Sequence, residues 1–106
     1  MNDASIFARS EIGRVAREIL VGAISFIEGA REINSLRFTA DLEWDPDIVP
    51  FVAIDSDTDE LPLGEVRRLW IPDALARLQP EIDKAEKWAR NVGTEPCTNL
   101  ARRFGD

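Results

Sequence analysis

The residues of this chain whose type and spacing could form a ligand-binding or reactive site are three aspartates at alternate positions, Asp55, Asp57 and Asp59. Several carboxylate oxygens at short range are what hard cations bind, so the cluster predicts a divalent-cation site, structural or hydrolytic. The run does not fit the calcium loop of an EF-hand, because Glu60 stands where that loop needs Gly and Val66 where it needs Glu. A cation site here would therefore have a less regular set of ligands than an EF-hand loop has.

The local charge favours a second hypothesis, in which the same region binds a protein. Residues 38–71 carry nine acids and two bases, which accounts for the net charge of −7, whereas the segments on either side are neutral. An excess of one sign raises the surface potential and steers partners of the opposite sign. The sequence therefore predicts a non-enzymatic acidic domain that docks a basic protein surface. The expected electrostatic contacts are Asp55, Asp57, Asp59, Glu60 and Glu65, with Trp70 as an aromatic anchor.

A third hypothesis is that the acidic segment is purely structural. Asp55 and Asp59 would then cap helices or pair with Arg31, Arg37 or Arg67 and hold a long loop in place. Exchange of such an aspartate for asparagine would lower stability by about 1–3 kcal/mol, the usual loss for a charged hydrogen bond.

Catalytic arrangements have little support in the sequence. The chain has no histidine, so it lacks the commonest general base and any Ser/His or Cys/His pair. Cys97, the single cysteine, is expected to be a small buried hydrophobe. We expect no enzyme and no cofactor other than the divalent cation considered above.

Composition limits the partners and the compartment. An acidic chain is poorly suited to nucleic acid or to an anionic membrane surface, both of which attract Lys and Arg. One cysteine permits no internal disulfide, and the polar start shows no secretory leader, so a cytoplasmic location is predicted. The length of 106 residues suggests a single domain over 1–106. The oligomeric state is left open.

Helical spacing of apolar residues predicts a mostly α fold of three main helices, a helical hairpin followed by a long C-terminal helix. Asp3 or Ser5 would cap the first helix, and Gly22 would end it. The second is expected over residues 24–36. The third would start at Pro72 and stop at Gly105, with a kink at Pro80 and a break at residues 93–96.

The segment between the second and third helices is expected to be irregular. Asp45-Pro46-Asp47 has the composition of a turn. Val49–Ile54 is apolar but contains Pro50, which suggests a brief edge strand or an extended loop. Leu61-Pro62-Leu63 is expected to tuck inward. The tryptophans are expected to supply core material, with Trp70, beside two arginines, partly exposed.

A longer pattern runs through this segment, from Phe51-Val52-Ala53-Ile54-Asp55-Ser56-Asp57-Thr58-Asp59 through Leu61-Pro62-Leu63-Gly64 and Val66-Arg67 to Trp70. With the charged helix that follows, it resembles a small family of uncharacterised bacterial proteins, a domain of unknown function. Asp57 stands where the family pattern has Glu. The resemblance implies no activity. By analogy only, such small acidic domains are similar to toxin-neutralising immunity proteins.

Overall fold

The chain is mostly helical in the part that the structure describes, which is residues 2–105 without the side chain of Glu65. The computed structural model contains four α-helices and one 3-10 helix. They are α1 Asp3–Leu20, α2 Phe26–Leu36, α3 Val49–Thr58, the 3-10 helix Gly64–Leu69 and α4 Pro72–Phe104. The all-α class is therefore confirmed, with a long C-terminal helix. The count of three main helices is wrong by one, because α3 lies between the two helices that were expected to flank an irregular segment.

The first helix begins and ends through local backbone chemistry. Its cap is Asn2, whose Oδ1 accepts a hydrogen bond from the Ser5 amide at 2.8 Å, so the prediction of Asp3 or Ser5 as the cap is wrong. Gly22 follows the helix with φ of +81°, a left-handed conformation that glycine adopts without a steric penalty. The prediction that Gly22 ends the first helix is confirmed.

The second helix is capped both by the residue before it and by a side chain of α4. The Ser25 hydroxyl accepts from the Glu28 amide at 3.1 Å, which is the local cap. Glu86 of α4 adds its carboxylate, which accepts from the amides of Phe26 at 2.8 Å and Ile27 at 3.3 Å. Anionic oxygens are favourable at the positive end of a helix dipole. This contact fixes α2 against the middle of α4.

The prediction of an edge strand or extended loop at Val49–Ile54 is wrong, since this stretch begins α3. Pro50 lies in the first turn, where a missing amide proton costs no helix hydrogen bond. Phe51, Ile54 and Thr58 are buried at helical spacing, so tertiary packing selects the helix. The turn before it is confirmed, because the Asp47 amide donates to the Asp45 carboxylate at 3.0 Å.

The long helix α4 starts at Pro72 and is capped by Gly105, as predicted, but the break expected at residues 93–96 is absent. Packing on both sides of Pro96 explains the continuity. A Cβ on Gly93 would lie 2.9 Å from the Phe26 ring, so α4 presses closely on α2, and Cys97 is fully buried. Within residues 2–105, no helix combines the length and apolarity that crossing a membrane requires.

The core is a single cluster of apolar side chains drawn from all four α-helices. Its largest fully buried members are Phe51, Ile12, Ile27, Ile33, Ile48, Ile54, Leu100 and Val15. Pro62 and Leu63 are buried, which confirms the inward tuck of that loop. None of the tryptophans belongs to the core: Trp44 is 84% exposed, Trp70 38% and Trp88 37%. The expectation that they supply core material is therefore wrong.

Candidate functional site

The predicted site residues separate into an inward-facing aspartate and an outward-facing group. Asp55 and Asp57 are two residues apart on α3, so their side chains leave the helix on different sides. Asp55 is half-buried, whereas Asp57, Asp59 and Glu60 are exposed. The side chain of Glu65 lies outside the described part of the chain.

Asp55 is held within the fold. Its Oδ2 accepts a hydrogen bond from Asn34 at 2.7 Å, and its Oδ1 lies 3.9 Å from Nε of Arg31. The same arginine donates to the carbonyl oxygens of Thr58 at 2.5 Å and Leu61 at 3.1 Å. Arg31 of α2 therefore stabilises the C-terminal end of α3 and the loop after it. This geometry favours the structural hypothesis for Asp55.

The exposed acids meet α4 across a groove. Asp57, Asp59 and Glu60 at the end of α3 line a cavity of about 450 Å³ together with Glu81 of α4. Ala85 and Leu61 contribute its apolar lining. We call the four acids, Asp57, Asp59, Glu60 and Glu81, with these apolar residues the acidic groove. Within residues 2–105, none of the four carboxylates has a hydrogen-bonding or ion-pair partner among the described side chains.

A second cavity shares part of its lining with the acidic groove. This cavity, of about 300 Å³, is also lined by Asp57, Glu81 and Ala85, and it adds Lys84 and Trp88. Trp88, rather than Trp70, is thus the aromatic residue beside the acids. Trp70 does not line either cavity, so the structure does not bring it together with the predicted electrostatic contacts.

Glu81 and Trp88 were not among the residues predicted for the site. A signal for them is present in the sequence, because Glu81, Ala85 and Trp88 follow each other at spacings of four and three and so share one face of α4. These residues were missed because the helix α3 was not predicted. Without that helix, nothing in the sequence indicated which face of α4 the acidic segment would meet.

The carboxylates of the acidic groove do not form a compact set of metal ligands. Among the described side chains, no three Asp, Glu or Cys residues are grouped closely enough to hold one metal ion. The structure does not bring Asp55, Asp57 and Asp59 together, since Asp55 faces α2 and Asp57 faces α4. Binding of a divalent cation at these residues stays a prediction without a test.

A second acidic pair, Asp45 and Asp47, is bound by one arginine at the far end of α4. Arg103 donates to both oxygens of Asp45 at 2.7 and 2.8 Å and to Asp47 at 2.9 Å. Asn99 donates to Asp47 at 3.0 Å. The bond from Arg103 first, and then the bond from the Asp47 amide, hold the pKa of Asp45 below its usual value. The pair anchors the loop after α2 to α4, and both carboxylates are already hydrogen-bonded within the chain.

We expect the Asp45–Arg103 contact to make part of the stability depend on pH. A carboxyl with a lowered pKa in the folded state stabilises the fold above its unfolded pKa of 3.8, and this contribution is lost as the pH falls through the lower folded value. Asp45→Asn should cost about 1 kcal/mol at neutral pH, and the difference from wild type should shrink below pH 3.8. Urea unfolding across a pH series measures this. Asp59→Asn, with the same charge change but no partner, should have little effect, and an Asp45→Asn deficit that stays constant into acid would contradict the assignment.

Cys97 is confirmed as a buried residue. Its thiol donates to the Ala16 carbonyl oxygen at 3.3 Å, and burial raises its pKa to about 12. The thiol is therefore protonated at neutral pH, which makes it a poor nucleophile.

Comparison of the chain with protein-family models, with curated proteins and with solved structures gave no match. The resemblance to an uncharacterised bacterial family therefore stays a prediction.

Proposed function

We propose that this chain is a non-enzymatic binding domain whose acidic groove receives a basic segment of a protein partner. The observation that carries the proposal is that Asp57, Asp59, Glu60 and Glu81, from two different helices, line one open cavity. Four carboxylates repel each other, whereas two other acids of this region, Asp45 and Asp55, each lie beside an arginine. Such an uncompensated set costs stability, which is reasonable for a surface that a cationic partner completes.

The lining of the groove favours an arginine side chain as the group that binds. A guanidinium presents five donors in a planar fork that matches carboxylates, and it also stacks on aromatic faces. The groove supplies the carboxylates, and the neighbouring cavity, which shares Ala85 with it, adds the aromatic face of Trp88. Lys84 lines the neighbouring cavity, whereas Asp59 and Glu60 line the groove alone, so the ligand charge is best placed toward these two acids.

An arginine-rich peptide tests the proposal by calorimetric titration at low salt and at about 1 M salt, where the Debye length falls to about 3 Å. We expect binding that weakens with salt. The double variant Asp57→Asn/Glu81→Gln should reduce the affinity about tenfold or more, as expected for loss of about 1.4 kcal/mol of binding free energy. Its stability should be unchanged or higher, because two repelling charges are removed.

The matched control is Asp41→Asn/Glu95→Gln, which removes two exposed acids that do not line the groove. Both double variants change the net charge equally, so the control should keep most of the affinity. Equal losses in the two variants would indicate general attraction to an acidic protein and would contradict a defined groove. Absence of peptide binding at low salt would contradict the proposal as a whole, and a large loss of stability in the groove variant would favour a structural role.

A further inference from the structure

We propose that the acidic groove and the neighbouring cavity, the one lined by Lys84 and Trp88, together bind an extended segment of the partner in which an arginine and a bulky apolar residue stand two positions apart. The arginine enters the groove, and the apolar side chain enters the neighbouring cavity. The inference rests on the proposed function, because the same carboxylates receive the arginine. It adds the class of sequence that the site selects, which the proposed function leaves as any basic segment.

The neighbouring cavity differs from the groove in the surface that it presents. The groove presents mainly polar surface, whereas this cavity, with Trp88 and Ala85 in its wall, presents mainly apolar surface. Thr58 also lines it, but this residue is buried and its hydroxyl donates to the Ile54 carbonyl oxygen at 2.6 Å, so that donor is already used. The cavity measures about 300 Å³, and an enclosed apolar cavity of roughly 150 Å³ holds a benzene ring. A leucine, methionine or aromatic side chain therefore fits it.

The charges around the two cavities place the arginine in the groove. Among the described residues, four acids and no base line the groove, whereas the neighbouring cavity has two of these acids, Asp57 and Glu81, together with Lys84. A cation beside Lys84 is repelled, and such repulsion is one way in which a site rejects the wrong ligand. An apolar side chain is not repelled, and it removes water from the ring of Trp88, which is 37% exposed. The neighbouring cavity therefore favours an apolar residue over a second arginine.

The length of the site matches two side chains on one face of an extended chain. The α4 residues that line the two cavities run from Glu81 to Trp88, which is seven positions and about 10 Å along a helix. An extended chain alternates its side chains between two faces, so residues two apart share a face and lie about 7 Å from each other. Both side chains then fit within the length of the site, whereas an apolar residue directly beside the arginine points away from it.

Three peptides of equal charge, with both termini blocked, test the motif: Leu-Gly-Arg-Gly-Leu, Ser-Gly-Arg-Gly-Ser and Gly-Leu-Arg-Leu-Gly. The first has leucine two positions from the arginine on both sides, so it fits the site in either chain direction. The second lacks the apolar side chains, and the third keeps the composition but places the leucines on the other face. We expect the first to bind about tenfold more tightly than either control peptide, as NMR titration of the ¹⁵N-labelled full chain measures.

Two pairs of variants assign the selection to the neighbouring cavity. Trp88→Ala should reduce the affinity for the first peptide to that for the serine peptide and leave the serine peptide unaffected. Trp70→Ala is its matched control, because Trp70 is 38% exposed, close to Trp88, but lines neither cavity. Independently of Trp88, Lys84→Ala should increase the affinity for Arg-Gly-Arg-Gly-Arg severalfold more than Lys87→Ala, which removes an exposed lysine outside both cavities.

Salt separates this inference from the proposed function. At about 1 M salt every affinity should fall, whereas the ratio between the first peptide and the serine peptide should persist, because salt screens the arginine contact but not apolar burial. A first peptide that binds no more tightly than either control peptide, or equal losses in Trp88→Ala and Trp70→Ala, would overturn the motif. If the arginine-rich peptide then still binds in a salt-dependent way that requires Asp57 and Glu81, only the selection of an apolar residue fails and the proposed function stands.

Discussion

Gly13→Ala is expected to lower the free energy of unfolding by about 1–3 kcal/mol, because the added methyl group has no space between α1 and α4. A Cβ at Gly13 would overlap the carbonyl oxygen of Phe104 and lie 2.6 Å from its carbonyl carbon. These are backbone atoms, so relief requires the last turn of α4 to move away from α1. Alanine in place of glycine gains about 1 kcal/mol of helix propensity, which is smaller than the cost of opening this crossing. Urea or guanidinium unfolding measures the difference.

Gly22→Ala separates this steric effect from the general cost of replacing a glycine. No atom lies within 4 Å of the Cβ that would be added there, but φ is +81°. The expected loss is about 1 kcal/mol, from left-handed strain alone. A Gly13→Ala variant that is no less stable than Gly22→Ala would show that α1 and α4 do not approach as closely as described.

Features of the fold that depend on local sequence signals could be predicted, and features that depend on tertiary packing could not. Pro72, Gly22 and Gly105 mark helix ends through their own backbone preferences, and each was predicted in the right place. The Asn2 cap was assigned to its neighbours because several cap-forming residues stand side by side at the start of the chain. Errors of one or two positions at a helix end have this origin.

The helix α3 could not be assigned from composition, since a short apolar run containing proline fits several structures. Its spacing does carry the answer, because Phe51, Ile54 and Thr58 all lie on one helical face. The continuity of α4 through Pro96 is a tertiary effect, since Gly93 packs against Phe26 of α2 and Cys97 bonds to Ala16 of α1. Propensity alone predicted a break at a position where packing against two other helices stabilises the turn.

The candidate site was predicted in part for the same reason. The exposed acids Asp57, Asp59 and Glu60 follow from local charge, and they do line one groove. Whether Asp55 is free or paired depends on Arg31, which comes from another helix 24 positions earlier in the chain. The opposite wall, with Glu81 and Trp88, depends on how α3 packs against α4. Side chains contributed by a distant helix are beyond what local patterns indicate.

Arg31→Met should lower the free energy of unfolding by about 2–4 kcal/mol, the second large effect that we expect. The substitution keeps most of the aliphatic stem but removes the donors to the Thr58 and Leu61 carbonyls and the charge beside Asp55. Hydrogen bonds to a charged group contribute about 1.5–3 kcal/mol each, and a half-buried carboxylate left without its counter-charge adds to the loss. Arg31→Lys retains the charge and should recover part of the stability, as measured by chemical unfolding.

Arg31→Met also tests whether the position of α3 determines binding in the acidic groove. Thr58 and Leu61 flank Asp59 and Glu60, so loss of the Arg31 bonds should loosen the end of α3 and weaken binding of the arginine-rich peptide, although Arg31 does not line the groove. Arg14→Met is the matched control, because Arg14 likewise has two bonding partners, the carboxylates of Glu11 and Glu18, but on the exposed face of α1. Exposed pairs contribute little, so this control should change neither stability nor binding appreciably. Similar losses for Arg14→Met and Arg31→Met would mean that total ion pairing, rather than the anchoring of α3 by one arginine, determines stability and the shape of the groove.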